Sequence, residues 1–141
     1  MTGTALSRDV RAADVRRWVE HVLDGEHVGD AMLSVTFLTG PRMRGLNRRT
    51  FGHDRATDVI AFGFDHAGTV AGDVYVCPSL AKRAARAAHV TEREETARLV
   101  VHGVLHALGY EHPADARRTS SAMWRLQERY VERLLAGEGT A

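Results

Sequence analysis

The sequence predicts an α+β domain, and three observations point there. Apolar residues recur at helical spacing near both ends of the chain, at Val15, Trp18, Val19, Val22 and Leu23 and again at Met123, Leu126, Tyr130 and Leu134. Between them, residues 31–38 alternate apolar and polar, and the segments 58–64 and 73–77 read as a strand hairpin, so a small mixed sheet of three or four strands is expected. A long apolar run opens with the capping box Thr91-Glu92-Arg93-Glu94 and marks a helix over 92–108. The first and last helices can back it with their apolar faces, giving about five helices around one sheet.

The elements follow in order. Residues 1–8 are small and polar and are expected to be disordered; residues 9–136 form one domain, and 137–141 a flexible tail. The first helix spans Asp9 to Leu23, with Trp18 at a core position. In the strand 31–38, Leu33, Val35 and Phe37 share a face. Thr39 can cap a short helix with Pro41 in its first turn, ending near Arg49. Residues 51–64 form a loop and then an apolar strand, and Asp65 to Ala71 turn into the strand 73–77. Ser79 caps an alanine-rich helix reaching about His89. Asp115 and Ser120 are candidate caps for the final helix, whose pattern includes Met123, so this methionine is not a turn residue beneath a metal.

Composition sets outer bounds. The 141 residues are 44% hydrophobic and 26% charged, as in an ordinary soluble domain with one core. The single cysteine, Cys77, forbids an intrachain disulfide and permits a reducing compartment. No apolar run approaches a membrane span and the N-terminus lacks a signal peptide's apolar core, so a cytoplasmic location without membrane partners is expected. A net charge of only +1 does not advertise nucleic-acid binding, although the arginines cluster.

The chemistry concentrates at residues 99–113, LVVHGVLHALGYEHP. His102 and His106 stand four apart, so both imidazoles leave one face of a helix, a turn apart. Gly109 can take the left-handed conformation that turns the chain, and Tyr110 and Glu111 then bring His112 round. Three neutral imidazoles with one open position describe a catalytic zinc site, one ion per chain. Gly103 stands where H-E-x-x-H proteases carry the glutamate that takes a proton from the attacking water. Peptide hydrolysis by that route is therefore disfavoured.

HGVLHALGYEH resembles the signature of the YbeY family of bacterial metal-dependent endoribonucleases, H-G-x-L-H-x-x-G-Y-D-H, with Glu111 for Asp as the one departure. Further upstream the family commonly shows L-N-R-x-Y-R-G-x-D-x-P-T-D-V-L-S-F-P. This chain matches it at Leu46, Asn47, Arg48, Gly52, Asp54, Thr57, Asp58, Val59 and Phe62. GDVYV and MWRLQE resemble the family's G-D-I-x-I strand and last helix. Phe51 stands where many members carry an arginine implicated in activity, Ala56 replaces a proline, and Ala61 and Gly63 replace Ser and Pro. The resemblance covers roughly residues 30–135.

What the resemblance implies is a zinc-dependent, single-strand-specific endoribonuclease acting in ribosomal RNA maturation (16S rRNA processing) and ribosome quality control, with small-subunit components as partners. His102, His106 and His112 would hold the metal. Asp73, Glu111 and Asp58 are the candidates for general base, in that order because Asp73 is expected to begin the strand nearest the zinc. Arg42, Arg44, Arg48, Arg49 and Arg55 could track an RNA backbone, and Phe51 could stack on a base. Two other readings stay open: a zinc metalloprotease or other zinc hydrolase, and a ribosome-assembly factor whose metal is mainly structural.

Overall fold

The computed structural model describes residues 6–66, 69–111 and 121–139. Eight elements follow in chain order: α1 (Ala12–Gly25), β1 (Ala31–Phe37), α2 (Gly40–Phe51), β2 (Val59–His66), β3 (Thr69–Val76), α3 (Pro78–Ala88), α4 (Glu92–Ala107) and α5 (Ala122–Gly139). The fold class is the expected one, with five helices and a three-stranded mixed sheet ordered β1-β3-β2 among the described residues. The central strand β3 runs parallel to β1 and antiparallel to β2, so Val74 lies between Val35 and Ala61.

Strand alternation sends Val35, Phe37, Val74 and Val76 to one face, where they join Trp18, Val100, Val104 and Leu105 in the main core. The other face is partly covered by α2, whose Met43 packs with Ile60, Cys77 and the half-buried Phe62 and Tyr75. Helix α4 is thus buried between the sheet and the amphipathic α1 and α5, as their apolar spacing predicts.

Several boundaries move for local reasons. Helix α2 takes in Phe51 and stops at Gly52, which adopts the left-handed region (φ 75°) while its N–H donates to the Arg48 carbonyl at 3.0 Å. Helix α3 starts two residues early, because Pro78 suits the first helical position and Cys77, not Ser79, is the cap. The hairpin is longer than expected, pairing Val59 with Val76 through to His66 with Thr69. Asp115 and Ser120 lie outside the described residues; Ser121 Oγ accepts from the Trp124 N–H at 3.1 Å instead. Helix α5 runs past the expected end at 136, because Glu138 is bonded on three sides.

Those bonds form a clamp between three helices. Glu138 accepts from Arg93 at 2.9 and 3.0 Å, from Arg17 at 2.8 Å and from the Trp18 indole at 3.0 Å. Arg93 also reaches Asp14 at 3.0 Å and lies 5.2 Å from the centre of the Trp18 ring. Its guanidinium holds the carboxyls of Asp14 and Glu138 below the usual range. A carboxyl lowered on folding adds stability above its ordinary pKa, and that stability is lost as pH falls through the folded value. Arg93→Met should cost about 1–3 kcal/mol at neutral pH, since charged hydrogen bonds only partly exposed are broken. Below about pH 4.5, where carboxyls freed of Arg93 begin to protonate, the difference from wild type should shrink, closing only as pH falls through the lowered folded values of Asp14 and Glu138. Urea titrations across that range check it; a difference independent of pH would refute the clamp.

Candidate metal centre

Helix α4 carries the site because three close approaches seat it on the sheet. A Cβ at Gly103 would lie 2.4 Å from Val74 Cγ1, and one at Gly63 would lie 2.3 Å from the Ala107 carbonyl oxygen. At Gly72 it would meet the Ala107 Cβ at 2.9 Å. Position 103 therefore points into β3. The missing side chain is a packing requirement as well as the loss of a protease base.

The start and end of α4 follow sequence rules. Thr91 Oγ1 accepts from the Glu94 N–H at 3.0 Å. At the other end Gly109 adopts φ 103°, its N–H donates to the His106 carbonyl at 2.9 Å, and the Tyr110 N–H donates to Leu105 at 3.0 Å. This is the Schellman closure, and it turns the chain as Gly109 predicts. Tyr110 Oη donates to Glu26, whose other oxygen accepts from Tyr130 at 2.5 Å, so the segment leaving α4 is tied to α1 and α5.

His102 and His106 lie on one face of α4, their ring centres 4.6 Å apart and their planes at 77°. His102 Nδ1 is 2.6 Å from Oε1 of the buried Gln127 on α5. Two adjacent imidazoles, one held through its Nδ1 by a neutral amide, fit the donor set that binds zinc. His112, the third expected ligand, lies outside the described residues. Among the described residues no group of three His, Cys, Asp or Glu gathers.

A cleft of about 120 Å³ opens beside His102, lined by Asp58, Glu95, Arg98, Trp124 and Gln127 among others. Of the carboxylates expected to act, Asp58 is the one placed here, just before β2. The edge strand along α4 is β2, because β3 is central. Asp73 is a correction. It sits in the middle of β3, not at its start, between Gly72 and Val74, which both face α4. Alternation turns Asp73 to the opposite face of the sheet, where Ser34 Oγ donates to it at 2.6 Å. Glu111 is exposed at the end of a described stretch.

Sequence reasoning passed over Glu95, Arg98 and Gln127. Glu95 and Arg98 lie seven and four residues before His102, so the helical stripe that carries the histidines could have pointed to them. Burial pushes the Glu95 carboxyl up, against the opposing pull of Arg98. Arg98 bonds Glu94, Glu95 and Glu128, each at 2.9 Å, so its guanidinium is committed to carboxylates and is no substitute for the arginine absent at position 51. Gln127 sits on another helix, and no spacing rule brings it to His102.

The expected RNA-binding arginines lie on or just after α2, which covers the sheet face away from α4. Arg44 is paired with Asp54 through two hydrogen bonds of 2.7 and 2.9 Å. Arg42, Arg48, Arg49 and Arg55 are exposed and make no ion pair among the described residues. Arg55 is three residues before Asp58, so this segment leads round the start of β2 into the cleft. Phe51 is 52% exposed and stacks on Phe62 with centroids 6.0 Å apart.

Comparison with known proteins agrees with this architecture. The family described as Endoribonuclease YbeY matches residues 4–135. A protein named Endoribonuclease YbeY from Alkalilimnicola ehrlichii is 38% identical over 136 residues, covering 92% of this chain and 78% of the relative. One of the same name from Thermotoga petrophila is 33% identical over 119 residues, covering 84% and 77%. The solution structure of TM1509 from Thermotoga maritima superposes with a TM-score of 0.67 at 28% identity, covering 91% of this chain and 83% of that one. No described helix is long and apolar enough to cross a membrane. With a family match over nearly its whole length and relatives of this identity and coverage, the chain belongs to the Endoribonuclease YbeY family.

Proposed function

We propose that this protein is a zinc-dependent endoribonuclease that cuts single-stranded segments of ribosomal RNA, serving 16S rRNA maturation and ribosome quality control in the cytoplasm beside small-subunit components. The observation that carries the proposal is the adjacent His102–His106 pair, with His102 lining a cleft beside Asp58 and Glu95, in a chain whose family is named for endoribonuclease activity. His102, His106 and His112 would hold one zinc. When bound, it would supply a water of lowered pKa and polarise a phosphoryl oxygen.

The chain's own residues divide the remaining work. Asp58 is the carboxylate best placed to take a proton from the attacking water, because it shares the cleft with His102. Glu95, raised by burial, is the second candidate. A cleft of about 120 Å³ is small beside an ordinary ligand pocket, which suits a phosphate presented by a strand lying across its mouth. Arg42, Arg48, Arg49 and Arg55 would hold the backbone on either side of the cut, and Phe51 offers an exposed ring for a base.

Proteolysis is disfavoured further by geometry, since position 103 points into β3 and leaves no room for a glutamate. The assembly-factor reading has one observation in its favour: the arginine lining the cleft, Arg98, is taken up by three glutamates. The test is RNA binding. Replacing Arg48 and Arg49 with glutamate should weaken binding to a single-stranded ribosomal RNA fragment and flatten its salt dependence, because fewer counterions are released. Unchanged affinity and slope would remove the basic segment from the account.

A further inference from the structure

We infer that Gln127 is a positioning residue: it fixes His102 as the tautomer protonated on Nδ1 and so determines that Nε2 is the nitrogen offered to a metal. The inference rests on the reading of His102 as a ligand. It begins with Arg98, which donates to both oxygens of Glu128, at 2.9 Å through Nε and at 3.0 Å through a terminal nitrogen. A carboxylate gripped in this way is ionised and can only accept hydrogen bonds. Gln127 is therefore obliged to turn its amide nitrogen to Glu128, 3.0 Å away.

With the NH₂ end committed, the carbonyl end faces His102 at 2.6 Å. An amide oxygen has no proton to give, so the ring must be the donor. A neutral imidazole protonated on Nδ1 has its lone pair on Nε2. Gln127 is 1% exposed, so water does not compete for either end of its amide. The relay Arg98–Glu128–Gln127–His102 thus crosses from α4 to α5 and back, and sets the protonation site of the ring.

The prediction can be read on the metal-free full-length chain. Nitrogen-15 NMR of the imidazoles should find His102 as the Nδ1–H tautomer in wild type. Gln127→Met keeps the volume and removes the acceptor; its His102 ring should shift toward the Nε2–H form while the His106 ring is unchanged. Its zinc affinity, measured by competition with a chromophoric chelator, should fall about 10–100-fold, the usual cost of losing such a partner. An Nε2–H ring in wild type would overturn the inference, as would unchanged zinc affinity in Gln127→Met. Wild-type zinc affinity in His102→Ala would instead defeat the ligand reading, and the two failures are separable because the tautomer is read without metal.

Discussion

Replacing His106 with alanine is expected to remove bound zinc and RNA cleavage together, leaving the fold intact. His106 is half-buried at the edge of the core on a helix anchored by Val100, Val104 and Leu105, so truncating its ring leaves the packing largely in place. Metal affinity depends on every ligand, and one imidazole fewer leaves a set too small to hold the ion at working concentrations. The contrast with Asp58→Asn gives this result its meaning. A positioned proton acceptor contributes about 10²–10⁴-fold to rate, so the Asp58 variant should lose activity within that range while keeping its zinc. Elemental analysis beside a cleavage assay reads both. Full metal occupancy in His106→Ala would place the ion elsewhere.

The other large effect is expected at Gly103, where the tempting experiment is to install the missing protease glutamate. Gly103→Glu should unfold the chain, with no proteolysis gained. Even a methyl group would stand 2.4 Å from Val74 Cγ1, and Val74 is fully buried on a central strand with a stiff, branched side chain. Overpacking of this kind costs about 1–3 kcal/mol. Alanine would recover about 1 kcal/mol of that through its better helix propensity, so Gly103→Ala should be tolerable. A glutamate adds a carboxylate with no partner in an apolar interior, and the total should exceed about 4 kcal/mol. Combining Gly103→Ala with Val74→Ala should cost less than the sum of the two, because each makes room for the other. Additive losses in urea denaturation, or a folded Gly103→Glu chain that cleaves casein, would contradict this account of α4.

Most of the framework was legible because it depends on periodicity and on residues with special backbone demands. The apolar spacing of α1 and α5 and the alternation of β1 place those elements without reference to anything distant. Gly109 announces the end of α4 because the left-handed turn needs a residue without a Cβ. The failures occur where a strand's neighbours decide the outcome. Asp73 looked like a strand start beside the metal, but pairing with β2 extends β3 back to Thr69, and parity then turns Asp73 away from α4. Phe51 joined α2 because Gly52, one residue later, is the point where the helix closes. Gln127 and Glu128 were invisible for a different reason: they meet α4 across two helices, and nothing in the spacing of either helix sets their rotation relative to the other.

The measurement that bears most directly on the central claim is zinc content beside RNA cleavage in the untagged, full-length wild type. The account predicts one zinc per chain, held through His102, His106 and His112. Cleavage of single-stranded ribosomal RNA should stop on chelation and return when zinc is restored, with casein left intact throughout. Cleavage that persists after the metal has been stripped, or a stoichiometric metal with no cleavage of any RNA, would contradict it.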